Sequence, residues 1–209
     1  MPKSSAAGRA RKIKLILFDV DGVLTDGKIW IFPAPGLQAG ARQSVLEKSA
    51  RPAEQAGFGL HGASLIEAKG FHAHDGTAIA LARMAGIKTG IITKRISETV
   101  ALRARDLKID HVYQGIQDKA SVFAHILEKD GITAAEAAFV GDDVIDLPAM
   151  RKCGLAIAVK NARPEVKAEA HWATPHAGGD GAARDAVEYI LKAQGKWKQA
   201  VEKYILEGS

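Results

Sequence analysis

The sequence predicts an α/β protein: a three-layer, Rossmann-like parallel sheet with helices on both faces, plus a projecting β-hairpin that carries an insertion. Three observations carry this expectation. Short, nearly continuous apolar runs recur along the chain, the form taken by strands buried on both faces. Segments of helical patterning separate them, as βαβ units require. The chain has 209 residues, 47% hydrophobic and 25% charged. That is enough for one sizeable core and unlike the composition of a disordered chain.

The first apolar run, Ile13 to Phe18, is the expected opening strand. Further runs follow at Lys88–Thr93, Ala137–Gly141 and Leu155–Val159, and a shorter strand is expected around Val112–Tyr113. Helical patterns lie between them at Thr77–Ala85, Ser97–Leu107, Lys119–Lys129 and Asp146–Lys152. Gly86, Gly131 and Gly154 stand where helices should stop, and Thr133 with Glu136 has capping-box spacing. Asp185 to Leu206 reads as one or two helices, divided at Gly195. From Gly27 to Gly70 the alternation fails, and a structureless loop of that length is improbable in a compact domain. The expected contents are two hairpin arms, Lys28–Phe32 and Ser64–Phe71, with an excursion of roughly thirty residues between them. That excursion, within 33–62, reads either as a tolerated loop or as a lid or subunit contact. Residues 1–12 are expected to be a flexible basic tail, and 13–209 a single domain.

Charge and composition exclude several classes. Lys3, Arg9, Arg11, Lys12 and Lys14 account for the whole net charge of +5, leaving 24 bases against 24 acids in the rest. A nucleic-acid binder would carry its excess on one face of the fold, so no nucleic-acid partner is expected. No apolar run approaches the ~20 residues of a membrane span, so no membrane partner is expected either. The run KLILF is cut short by Asp19, which argues against a secretory signal and for a cytoplasmic protein. The one cysteine, Cys153, has no internal disulfide partner and is read as a structural thiol.

In sheets of this kind, chemistry sits beyond the carboxyl ends of the strands. The first strand ends in DVDG, placing Asp19 and Asp21 there, and buried carboxylates are costly unless a cation or ligand uses them. A second cluster, GDDVID, brings Asp142, Asp143 and Asp146 to another strand end. Carboxylates from two neighbouring strands form an oxygen-rich site suited to Mg²⁺. Thr93 ends the third run, followed by Lys94 and Arg95, and Lys119 opens a helix. An acid pair, a hydroxyl, a lysine and a second acid pair outline a phosphoryl-transfer site. His72 and His74 have the spacing of one strand face, but no third ligand stands near to make a metal site.

These residues resemble the haloacid dehalogenase superfamily, in its phosphatase branch. VDGVLTDGKIW, FHAHDGTAI, FVGDDVIDLPAM and AGGDGAARDAVEYILKAQGKW further resemble the capless 3-deoxy-D-manno-octulosonate 8-phosphate phosphatases. The resemblance implies Asp19 as nucleophile and Asp21 as general acid and base, with Thr93 and Lys119 on the phosphoryl oxygens. It implies Mg²⁺ held by Asp19, the backbone carbonyl of Asp21, and Asp142, with Asp143 counted among the metal residues and Asp143 or Asp146 acting behind the ligands or through water. Glu67, His74, Lys94, Arg95 and Arg184 are the implied substrate contacts. A homotetramer with shared active sites and a small sugar phosphate as substrate are implied as well. Three departures bear on specificity, the first being the hairpin's extra excursion of roughly thirty residues. His74 stands where that family usually has Arg or Lys, and Lys94 where it usually has Gly. A phosphatase of different or broad specificity, or a non-hydrolytic module of the same fold, therefore stands beside the octulosonate reading.

Overall fold

The computed structural model describes residues 5–33 and 65–207. They form a six-stranded parallel sheet in the order β5-β4-β1-β6-β7-β8. The strands are β1 (Leu15–Phe18), β4 (Lys88–Ile92), β5 (His111–Tyr113), β6 (Ala137–Gly141), β7 (Leu155–Ala158) and β8 (Trp172–Ala173). β1 and β6 are buried at every position, which is why they read as unbroken apolar runs rather than as alternating ones. A separate antiparallel hairpin pairs β2 (Trp30–Pro33) with β3 (Leu65–Ala68), close to the two expected arms. The excursion expected within 33–62 lies outside the described residues.

From β1 the chain moves outward to β4 and β5, then crosses back to β6 on the other side and continues to β8. Right-handed crossovers place helices on opposite faces for the two directions of travel. One layer therefore contains α2 (Ala73–Met84) and α3 (Glu98–Asp106), and the other α4 (Lys119–Asp130), α5 (Leu147–Met150) and α6 (Pro164–Glu169). Helix α7 (Ala182–Ala193) packs on α2, and α8 (Trp197–Glu207) follows it after Gly195, which adopts a positive φ. The core joins both layers through Phe18, Phe139, Phe123, Ile79 and Ile190, all essentially inaccessible.

Local chemistry sets the element ends. Ser97 caps α3 by accepting from Val100 N, and Asp118 caps α4 by accepting from Ala120 N and Ser121 N. The Thr133–Glu136 capping box forms on a single 3-10 turn, Ala134–Glu136, that leads into β6. Gly154 serves close packing rather than a helix stop, because a Cβ there would lie 2.4 Å from the Ala135 carbonyl oxygen.

Four expectations change. Within the expected tail, residues 5–12 are not free: Ala6–Ala10 forms α1, whose Ala10 is buried and whose Arg9 Nη1 donates to Gly154 O at 2.7 Å. Gln194 Nε2 closes this contact by donating to Ala10 O and Ile13 O. Small residues on α1 allow it to lie close to α7, which a count of basic residues does not reveal. Helix α2 starts at Ala73 rather than Thr77, since His72 caps it and Gly76 is a mid-helix position that makes room for Arg103. Finally, α6 and β8 were not anticipated; a helix of six residues and a strand of two carry too short a pattern to register.

Candidate active site

The register of the sheet brings three strand ends together. Phe18 pairs with Ile91 on one side and Val140 on the other, so Asp19 stands level with Ile92 and Gly141, and Thr93 and Asp142 follow one residue further along their neighbouring strands. Asp19 N still donates to Val140 O at 3.0 Å, which fixes its backbone as an extension of β1. This is the switch point of the sheet, where neighbouring connections leave in opposite directions and a crevice opens. An open cleft of about 300 Å³ occupies it, lined by Asp19, Asp21, Thr93, Lys94, Arg95, Asp142, Asp143 and Ile145. Seven of the twelve candidate residues named from sequence thus meet in one cleft.

Asp19 is 3% exposed, and its Oδ1 lies 2.8 Å from Lys119 Nζ. Lys119, buried at the first turn of α4, also donates to Asp146 Oδ1 at 2.7 Å. Burial alone would pull the Lys119 ammonium down, but Asp19 and Asp146 together hold it above its ordinary pKa. Asp146 is fully buried, and its other oxygen, Oδ2, accepts from Asp142 N and Asp143 N. It therefore orients the second acidic loop. Gly141 is needed beside it, since a Cβ there would lie 2.6 Å from Asp146 Cβ.

Carboxylate oxygens of Asp19, Asp142 and Asp146 lie within 4.8 Å of one another. Burial, reinforced by Asp146, raises the Asp19 carboxyl far above the usual carboxylate range. Burial, then Asp146, Asp19 and Asp143, raises Asp142 to about 8. Asp142 Oδ1 is buried without a hydrogen-bond partner. Crowded, partly unsatisfied carboxylates of this kind fit a hard divalent cation. Asp19 and Asp142 are the direct candidates, because both oxygens of Asp146 already have donors. Asp143 lines the cleft, although its Oδ1 accepts from Val144 N and caps the turn Val144–Asp146. Gly22 is what lets the two acidic loops meet: its φ is +90°, and a Cβ would overlap the Asp142 carboxylate. Gly178 backs the same loop from the AGGDG segment, held by Asn161 Oδ1, which accepts from Gly178 N at 2.9 Å.

The remaining expectations separate. Thr93 is buried at the end of β4, with its N–H on Tyr113 O. Lys94 and Arg95 line the cleft, whereas Glu67 sits behind it. The Glu67 carboxylate accepts from Ser97 Oγ at 2.6 Å and Arg95 Nη2 at 2.9 Å, so it orients Arg95 instead of facing a substrate. His74 does not reach the cleft: it is exposed at the start of α2, edge-on to His72 at 4.7 Å. Arg184 does not reach it within this chain either, since its guanidinium lies 4.8 Å over the Trp197 ring and Nε donates to Glu188. Cys153 is buried, its thiol pushed up to about 12 by burial, which suits a structural role. Sequence reasoning missed Lys69, whose fully buried side chain forms an ion pair with Asp21.

A parallel sheet with an acid-rich cleft at its switch point and a buried lysine across from the first carboxylate defines a hydrolase of the haloacid dehalogenase type. A profile for the haloacid dehalogenase-like hydrolase matches residues 77–184. The chain is 36% identical over 192 residues to the 3-deoxy-D-manno-octulosonate 8-phosphate phosphatase KdsC of Escherichia coli K12, covering 92% of this chain and 86% of that one. Among solved structures, a probable yrbi family phosphatase from Pseudomonas syringae matches with a TM-score of 0.78 and 35% identity, covering 96% of this chain and 97% of that one. The Moraxella catarrhalis 3-deoxy-D-manno-octulosonate 8-phosphate phosphatase, solved with magnesium, phosphate and KDO, matches with a TM-score of 0.76 and 31% identity over 95% of this chain and 97% of that one. The chain belongs to the haloacid dehalogenase-like hydrolase family.

Proposed function

We propose that the protein is a Mg²⁺-dependent phosphatase that hydrolyses a phosphorylated 2-keto-3-deoxy sugar acid, 3-deoxy-D-manno-octulosonate 8-phosphate first among them. The observation that carries this is the convergence of Asp19, Asp142 and Thr93 from neighbouring strand ends with Lys119 from the start of α4. Its closeness in sequence to the Escherichia coli octulosonate phosphatase supports the substrate class.

In the proposed reaction an Asp19 oxygen attacks phosphorus, forming an aspartyl-phosphate as the bond to the sugar oxygen breaks. Asp21 gives its proton to that departing oxygen, then takes one from the water that attacks the aspartyl-phosphate. Thr93 and Lys119, with Lys94 at the cleft wall, hold the phosphoryl oxygens, whose spread charge is what such a site must stabilise. Mg²⁺, held by Asp19, the Asp21 backbone carbonyl and Asp142, would neutralise charge on the phosphoryl group. Lys119 keeps Asp19 aimed along β1, and Asp146 keeps Lys119 in place. The test is phosphate release, with Mg²⁺, from a panel of sugar phosphates that includes the octulosonate ester and a nine-carbon homologue. A strong preference for the octulosonate ester is expected. Comparable slow rates on many esters would establish the broad-specificity reading instead.

The proposal extends to a homotetramer in which a neighbouring subunit covers each cleft. Supporting it, the hairpin presents Trp30, Ile31, Phe32 and Ile66 to solvent, an apolar strip unusual on the surface of a lone chain. Light scattering on the purified protein should return four times the 22.2 kDa chain mass; a monomer would remove this part of the proposal.

A further inference from the structure

Lys69 follows β3 directly, at the root of the hairpin, and its side chain is wholly inaccessible to solvent. Burying an ammonium is unfavourable unless counter-charges meet it. Here two do: Asp21 Oδ1 as an ion pair, and Glu67 Oε1 at 3.9 Å. The opposite oxygen, Asp21 Oδ2, faces Arg95 Nε at 3.6 Å. Glu67 ties the same root to the loop after β4. Its carboxylate accepts from Arg95 and Ser97, and its backbone oxygen accepts from Thr99 Oγ1 at 3.3 Å. The hairpin root is therefore fastened both to the catalytic loop and to the β4–α3 loop. The Lys69 side chain is inaccessible and does not line the cleft, so it reaches the site through Asp21.

We propose that Lys69 is a positioning residue for Asp21, fixing the orientation of its carboxyl group in the cleft. The inference rests on the assignment of Asp21 as general acid made above. Lys69 on Oδ1, with Arg95 Nε 3.6 Å from Oδ2, holds the Asp21 carboxyl group in one orientation. In the reaction proposed above the proton passes from this carboxyl group to the sugar oxygen as the bond of that oxygen to phosphorus breaks, and Lys69 itself exchanges no proton. Without Lys69 the carboxyl group rotates about its Cβ–Cγ bond and the proton is presented in the productive direction only part of the time. The hairpin then acts on chemistry directly, through its root.

Leaving-group dependence separates this role from a merely structural one. A primary alkyl sugar phosphate needs its departing oxygen protonated, whereas p-nitrophenyl phosphate releases a stable anion that does not. Full-length wild type, Lys69→Met, Lys69→Arg and Asp21→Asn would be compared on both esters with Mg²⁺. Lys69→Met should lose about 100-fold in kcat on the alkyl ester, with KM unchanged, and change little on the aryl ester. Lys69→Arg, which restores a cationic donor, should recover about tenfold of that loss. Retained aryl turnover shows that the variant has folded; should Lys69→Met not fold, Lys69→Gln is read in the same way. Equal losses on both esters, or a loss in KM alone, would overturn the inference. If Asp21→Asn is selective for the alkyl ester and the Lys69 variants are not, the inference falls while the acid assignment stands. If Asp21→Asn loses equally on both, or wild type hydrolyses neither ester, the underlying reading fails and this inference with it.

Discussion

Replacing Asp19 by Asn is expected to lower kcat by about 10⁴-fold or more, the scale on which removal of a covalent nucleophile is felt. The substitution keeps the shape of the side chain, and its backbone remains held by Val140 O at the end of β1. What changes is the reacting group: a carboxamide neither attacks phosphorus readily nor yields the mixed anhydride that water must then cleave. Stability should move the other way. Asp19 is buried beside Asp146 and Asp142, and burial with that crowding already disfavours its charge. Removing one negative charge relieves the crowding, while Lys119 keeps Asp146 as its partner. The melting temperature should therefore hold or rise as activity vanishes, the exchange of stability for function common at catalytic sites. Phosphate release and a thermal melt on the same preparation check both halves. Activity within about tenfold of wild type would place the nucleophile elsewhere.

The carboxyl ends of the strands were legible because a chemical rule and a structural rule coincide there. Acids directly after unbroken apolar runs are unfavourable unless used, and parallel sheets open their crevice at that edge. Asp19 and Asp142 follow from that coincidence, whereas Thr93 and Lys119 were marked only by their place in the series that the family resemblance supplies. Other residues depended on helix phase, which composition does not set to within one residue. Asp75 turns inward from α2, where its Oδ1 accepts from Arg184 N at the start of α7. His74, one residue earlier and about 100° around the helix, necessarily points outward. Arg184 suffers the same geometry on α7: Ala182 and Ala183 take the buried face, so its guanidinium swings onto Trp197. Lys69 was invisible for a different reason. Only the pairing of Trp30 with Ala68 carries it over the catalytic loop, and no local pattern around KGF announces a contact 48 residues away.

Removal of the divalent cation is the second large effect, and pH should govern its thermodynamic part. Chelation is expected to abolish turnover, with millimolar Mg²⁺ restoring it. The stability argument runs through Asp142, whose carboxyl moves from an ordinary 3.8 to about 8, first through burial and then through Asp146, Asp19 and Asp143. Between those two values the folded, metal-free protein holds a proton that the unfolded chain has released. Stability is thus fully present below the unfolded value and falls as pH rises through the folded one. Asp19, shifted in the same direction, adds to that slope. A bound cation replaces the protons and removes the dependence, so the rise in melting temperature on adding Mg²⁺ should be larger at pH 8 than at pH 5. Asp142→Asn separates this from titration elsewhere in the molecule: the metal-free slope should flatten, and the response to Mg²⁺ should shrink at both pH values. If the wild-type response were equal at the two pH values, the three carboxylates would not be the groups that compete for cation and proton, and the metal would have to be held by a different set.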